Sequence, residues 1–146
     1  DWLNNDDNFL VVYGDILTDQ ALSFLIDAHN QHNAFATLLM HRRKTSNSFI
    51  ELGSNGRIIN FIERPDDIEM KKLGSDNPEG FLVNSAVQIL SQESLDYIIS
   101  NDWFDLPWDV YVPDCKTKNI YGVELTGKRV AIDSPERYKL AGELFP

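Results

Sequence analysis

The run Asn8-Phe9-Leu10-Val11-Val12-Tyr13-Gly14-Asp15 is apolar and rich in β-branched and aromatic residues until it stops at a glycine and a carboxylate. An unbroken run of this kind predicts a strand covered on both faces, as in a parallel sheet, because a half-exposed strand alternates polar and apolar residues. Ligands of open α/β sheets bind at the carboxyl ends of strands, so Asp15 stands where chemistry is expected, with Gly14 leaving room for close approach. From this stretch alone, a turn or helix-capping aspartate is the plain alternative. Thr18 offers a cap for a following helix, on which Leu22, Leu25 and Ile26 share one face and which runs to about His32. Residues 34–40 are a second apolar run, completing a strand, helix, strand unit that implies parallel pairing. The fold class that follows is α/β, with a mixed, mostly parallel sheet flanked by helices.

The later chain adds local signals in order. His41-Arg42-Arg43-Lys44 is the basic cluster, read as a solvated loop at the end of the second strand, where it could meet an anionic ligand. Residues 48–52 and 57–62 flank Gly53-Ser54-Asn55-Gly56, a hairpin with an Asn-Gly turn. That hairpin delivers Glu63-Arg64-Pro65, where proline ends the strand and is expected to hold the preceding residues extended. Residues 66–80 are charged and contain glycine and proline, as expected of a loop or lid.

Residues 81–90 form another strand, interrupted by Asn84 and Ser85; a buried amide must find partners, so Asn84 is either structural glue or a ligand contact. Ser91 caps a helix carrying Leu95, Ile98 and Ile99, followed by Trp103, Phe104 and Trp108 as packing aromatics. His29 and His32 are read as packing or surface residues on a last helical turn. Residues 119–125 and 129–133 are short strands, and Ser134-Pro135-Glu136 starts the last helix.

Size and charge narrow the functions. The chain has 146 residues, enough for one core, and its 23 acidic against 13 basic residues give a net charge of −10. Such a balance opposes attraction to phosphate backbones and anionic membranes, so neither nucleic acid nor membrane is expected as a partner. With Cys115 alone, no internal disulfide framework forms, and a cytoplasmic location is expected.

Taken in order, these signatures resemble the sugar-1-phosphate nucleotidyltransferase family, in particular its mannose-1-phosphate guanylyltransferase-like members. Phe9 to Asp15 resembles the family's strand ending in Gly-Asp. Gly56 and Arg57 to Pro65 resemble "GRVxxFxEKP", with Arg64 in place of the lysine. Leu82 to Ala86 resembles "LVNAG", with Ala86 in place of the glycine. Asp105 to Pro113 resembles "DFxxDVFP", and Tyr121 to Tyr138 resembles "YGYxxxGYWxDIGTPExY".

The resemblance implies a Rossmann-like fold and transfer of a nucleoside monophosphate from a nucleoside triphosphate to a sugar 1-phosphate, with pyrophosphate released. It implies Asp15 as a ligand of catalytic Mg²⁺, Glu63, Asn84 and Ser85 as substrate contacts, and Arg64 as a catalytic group gripping the sugar phosphate. The family's second metal aspartate aligns with Ala131, and Asp133, two positions on, is the substitute; a residue before the helix cap is its other reading.

The glycine-rich "GGxGTRLxPLT" motif, which binds the triphosphate, is not in these residues. Residues 1–146 are therefore expected to be a partial domain lacking the N-terminal strands, about a hundred residues judged from usual domain size. An exposed sheet edge and a homo-oligomer are expected to follow. The competing reading is a noncatalytic relative that senses a sugar nucleotide or contacts another subunit.

Overall fold

The computed structural model of the protein describes residues 8–44, 46–69, 79–103 and 105–146. Its organising element is the long strand Phe81–Ser91, eleven residues that pair on both edges. The strands are β1 (Asn8–Val12), β2 (Ile16–Thr18), β3 (Ala36–Arg43), β4 (Ser48–Leu52), β5 (Ile58–Glu63), β6 (Phe81–Ser91), β7 (Ile120–Glu124) and β8 (Arg129–Ala131). Helices α1 (Ser23–His32), α2 (Gln92–Asn101) and α3 (Pro135–Leu144) accompany them. Six strands form one sheet in the order β5-β4-β6-β3-β7, with β1 also on β6, while β2 and β8 make a separate two-stranded ribbon.

The α/β class and mixed sheet are as expected, but the pairing is more antiparallel than the apolar runs suggested. Only β3 and β7 pair in parallel among the described strands. β1 and β3 do run in the same direction, as a strand, helix, strand unit requires, yet β6 lies between them and pairs antiparallel with both. An apolar run reports burial on two faces; it is silent about the direction of its neighbour. β1 departs further. Its residues alternate in exposure, with Leu10 50% and Val12 47% accessible, and its outer edge is unpaired among the described residues.

Two apolar layers hold the sheet. On one face Leu38, Met40, Phe61, Leu90 and Ile120 pack with Val110 and Tyr111 and with Tyr97 and Ile98 of α2. On the other, Leu39, Val87 and Ile89 pack against Leu25 of α1. His29 is buried there, with its ring nitrogens at hydrogen-bond distance from Thr37 and Asn8, which makes it the packing residue expected. Ser91 and Ser134 cap α2 and α3 through bonds from the amides of Ser94 and Arg137. Each cap satisfies a donor that would otherwise be unpaired.

Several local expectations are corrected. Thr18 belongs to β2 and accepts from the Gln20 amide, and α1 starts after Leu22 without a side-chain cap. β3 continues through His41, Arg42 and Arg43, so most of the basic cluster is strand and its side chains alternate between faces. Ile99 of α2 and Trp108 are exposed, the latter 52% accessible. The hairpin turn is as expected, with Asn55 and Gly56 both at positive φ. Phe104 and most of the expected loop, residues 70–78, lie outside the described residues.

The register of β6 against β3 breaks once: Leu38 faces Gln88 and Met40 faces Asn84, so β6 carries extra residues at 85–87. Ala86 in this bulge takes the left-handed conformation, φ 61°. An L-residue is strained there whereas glycine is not. Ala86→Gly should therefore stabilise the fold by about 0.5–1 kcal/mol, the relief of strain exceeding the extra flexibility glycine gives the unfolded chain. Urea denaturation checks it, and a destabilised variant would contradict the strain.

Candidate active site

The bulge opens a gap along one edge of β6. β1 occupies that edge from Ser91 to Val87, and β4 meets it again at Leu82, while β3 pairs along the opposite edge on both sides of the bulge. Asn84, Ser85 and Ala86 lie in the interval, and the chain leaves β1 and β5 beside it. The Tyr13 amide donates to the Ala86 carbonyl (3.0 Å), and Gly14 and Asp15 form the turn that follows. From the other side, Glu63 pairs with Ser48 at the start of β4, and the Arg64 amide donates to the Asn47 carbonyl (2.6 Å).

Asp15 is thus presented by a turn at the carboxyl end of β1, exposed, with open space around Gly14. Its carbonyl accepts from the Ile132 amide (2.8 Å), which fixes the end of β8 beside it. Asp133 follows in the loop beyond β8, and its Oδ2 accepts from Nη1 of Arg137 at 3.0 Å. A carboxylate with one oxygen so engaged keeps the other for a further contact. Asn84 acts locally as glue: its Oδ1 accepts from the Ala86 amide (2.9 Å) and holds the bulge closed. Ser85 is fully buried, with Oγ 2.8 Å from Nδ1 of His41, and its carbonyl accepts from Nε of Arg129 (3.4 Å).

Glu63 and Arg64 line a cavity of about 760 Å³, together with Trp108, Lys116, Asp66 and Glu69. The Glu63 side chain is only 12% exposed, and burial raises its pKa; Arg64 pulls it back and Asp105 adds to the rise. Arg64 projects outward, donating from Nη2 to Asp105 Oδ2 at 2.9 Å. Such an exposed pair contributes about 0–1 kcal/mol and yields readily to a competing anion. Arg64 is not extended before Pro65 as expected; its φ is 49°. The backbone turns sharply there and aims Glu63 and Arg64 differently.

Tyr13 carried no signal of its own in the sequence. Burial raises the pKa of its hydroxyl, and the carboxylates of Asp105, Glu63 and Asp15 add to the rise. One phenol therefore sits in the field of the acids on both sides of the gap. Arg129 was also missed. It shares a face of β8 with Ala131, and burial and the Arg43 guanidinium lower its pKa, with Asp15 and Asp133 acting in the opposite sense. The signal available for Arg129 was its place two residues before the position aligned with a metal ligand.

Comparison with known proteins identifies the class. The chain belongs to the nucleotidyl transferase family, whose model matches residues 1–105. Among its relatives are sugar-1-phosphate nucleotidyltransferases. The UTP–glucose-1-phosphate uridylyltransferase of Synechocystis sp. (strain PCC 6803) is 29% identical over 110 residues, which are 73% of this chain and 26% of that protein. A putative glucose-1-phosphate thymidylyltransferase from Bacillus anthracis, solved in complex with a sucrose, superposes with a TM-score of 0.72 at 13% identity, covering 98% of this chain and 56% of that one. HddC from Yersinia pseudotuberculosis gives 0.68 at 17% identity, over 97% and 57%. At these identities the two structures show a shared fold. The chain spans about a quarter of the uridylyltransferase and somewhat over half of each solved chain.

His41 offers a check on the site's electrostatics. Burial, reinforced by Arg129, Arg43 and Arg137, pushes its pKa from 6.5 down to about 4. As pH falls between those values the unfolded chain takes up a proton that the folded chain refuses, so stability declines. His41→Gln should flatten that decline by roughly 1–2 kcal/mol, less than the full shift implies because the ring is partly solvated. Chemical denaturation of both proteins at pH 7 and pH 4.5 measures it, and parallel profiles would contradict the assignment.

Proposed function

We propose that this chain forms the sugar-phosphate side of an enzyme that joins a nucleoside triphosphate to a sugar 1-phosphate, giving a nucleotide sugar and pyrophosphate. The observation that carries the reading is that the Tyr13–Ala86 bond joins the turn holding Asp15 to the bulge holding Asn84 and Ser85, with the Glu63 carboxylate acting on Tyr13. These residues are far apart in sequence, and two of them, Glu63 and Arg64, line the larger cavity. Family membership and the names of the relatives support the reaction class.

The reaction needs no protein nucleophile. An oxygen of the sugar phosphate, already anionic at neutral pH, attacks the α-phosphorus; the new O–P bond forms as the bond to the β-phosphate oxygen breaks, and pyrophosphate leaves with that electron pair. The difficulty is holding two polyanions in line, so positioning and charge neutralisation dominate. Arg64, exposed and able to exchange Asp105 for a phosphate, would hold the sugar phosphate through its planar fork. Glu63, desolvated and fixed, would accept hydrogen bonds from sugar hydroxyls. Asn84 and Ser85 would present the bulge backbone to the ligand.

Mg²⁺ is the cation this reading calls for, and the donor set suits it in a limited way. Among the described residues no cluster of three or more metal-binding side chains exists. Magnesium bound through one or two carboxylates and substrate phosphates needs no such cluster. Asp15 would hold it, with Asp133 contributing its remaining oxygen. When bound, the ion would neutralise charge developing on the phosphates. Mannose- or heptose-type guanylyl transfer is the working choice of sugar and nucleotide.

The test uses the complete gene product with magnesium, a panel of nucleoside triphosphates and sugar 1-phosphates, and pyrophosphate release as readout. Asp15→Ala should lower turnover by at least about 100-fold. Glu63→Ala should cost about ten- to hundredfold in kcat/KM for the sugar phosphate, the worth of a charged hydrogen-bond acceptor. No pyrophosphate from any pair, or full activity in Asp15→Ala, would reject the proposal.

A further inference from the structure

On the α1 face of the sheet, the end of β3, β8 and the first turn of α3 enclose a cavity of about 210 Å³ lined by His41, Arg43, Arg129, Ala131 and Arg137. His41 and Arg43 reach it because alternate residues of a strand share a face, the face on which Leu39 packs against Leu25 of α1. Arg42, on the opposite face, pairs with Glu124 at 2.7 Å and takes no part.

The charge balance in this cavity is unusual for a chain of net charge −10. Three guanidinium groups converge, and of these only Arg137 has a carboxylate within ion-pair distance, Asp133, among the described residues. Arg129 is half-buried and carries the like charge of Arg43 and Arg137 in addition to its own desolvation. His41 stays neutral under the same field. Asp15 lies in reach of Arg129's charge but on the exposed turn beyond it. Positive charge gathered into a concavity without matching acids is a cost unless an anion occupies it.

We propose that Arg43, Arg129 and Arg137 form a binding site for a phosphate or diphosphate group, separate from Arg64 and its cavity. Guanidinium forks match phosphate oxygens in paired hydrogen bonds. The volume is below the about 300–1,000 Å³ typical of sites that enclose a drug-sized ligand, so it admits the anionic group and leaves the rest of a larger ligand outside. The site faces Ala131, where no side-chain acid competes with the anion. Under the proposed function, on which only this assignment rests, the group would be the polyphosphate end of the nucleotide or the released pyrophosphate.

Calorimetric titration of the protein with sodium pyrophosphate and with inorganic phosphate, in EDTA and at low ionic strength, tests the site without magnesium or turnover. Pyrophosphate should bind, and Arg43→Gln and Arg129→Gln should each weaken it about tenfold or more, the loss of one charge-assisted contact. Arg43 is exposed and makes no side-chain bond that the fold requires, so its variant keeps the fold in question intact. Lys139→Gln, which removes one exposed charge from α3, should bind like the parent.

Absence of pyrophosphate binding, or equal weakening by Lys139→Gln and Arg43→Gln, overturns the proposal. A nucleoside triphosphate that displaces pyrophosphate identifies the nucleotide as the source of the group; failure to displace identifies the free anion. Binding that is lost in Arg43→Gln stands even if the complete protein proves inactive, so the two readings fail separately.

Discussion

The site depends on one hydrogen bond inside β6. Asn84 Oδ1 holds the Ala86 amide at 2.9 Å, closing a bulge that lets one edge of an eleven-residue strand serve two partners. β1 ends at Val87 and β4 enters at Leu82, and the interval between them is where the chain can leave the sheet without burying unpaired backbone. A strand without the bulge would keep its ladder in register, and Ala86 would have no reason to adopt a left-handed conformation. The Ala86 carbonyl would then be aimed elsewhere and would not anchor Tyr13, whose amide positions the turn at Asp15. A bulge of this kind re-aims side chains at the cost of local strain, as bulges near functional sites do.

What the residues disclosed in advance follows from which forces are local. The Gly53–Gly56 hairpin turn, the Ser91 and Ser134 caps and the bounds of β6 are set by neighbours within a few positions, and all were legible. Direction of pairing was not legible, since β6 arrives between β1 and β3 from far along the chain. The same holds for burial of β1. Its composition is that of a covered strand, while Leu10 and Val12 are open in this chain. Asp15, Glu63 and Asn84 could be nominated because each ends or interrupts a strand. Tyr13 and Arg129 could not, because their significance comes from the groups that face them.

The two cavities divide the charge of the molecule. Glu63, Asp66 and Glu69 stand with Arg64 and Lys116 in the larger one, a mixture suited to neutral hydroxyls and a single phosphate. The smaller one holds guanidinium groups almost alone. Asp15 lies between the two fields: its carboxylate acts on Tyr13, which also feels Glu63, and on Arg129. A group bridging them would therefore pass the turn at Asp15, where both the proposed cation and the reacting phosphates belong.

This division bears on the end of β8. Ala131 puts no carboxylate into the smaller cavity, and Arg129 places a cation on the same face of the strand. A second acid there would pair with Arg129 and cancel the field that the arginines create. With alanine the field survives, and charge neutralisation of a polyphosphate can be supplied partly by fixed guanidinium groups. Fixed cations need not be recruited from solution and are already oriented, which is the condition under which electrostatic stabilisation is most effective. Absence of a carboxylate at Ala131 is therefore compatible with phosphoryl-transfer chemistry and does not by itself imply a silent fold. Asp133 belongs to the same arginine system, with one of its oxygens committed to Arg137 at 3.0 Å.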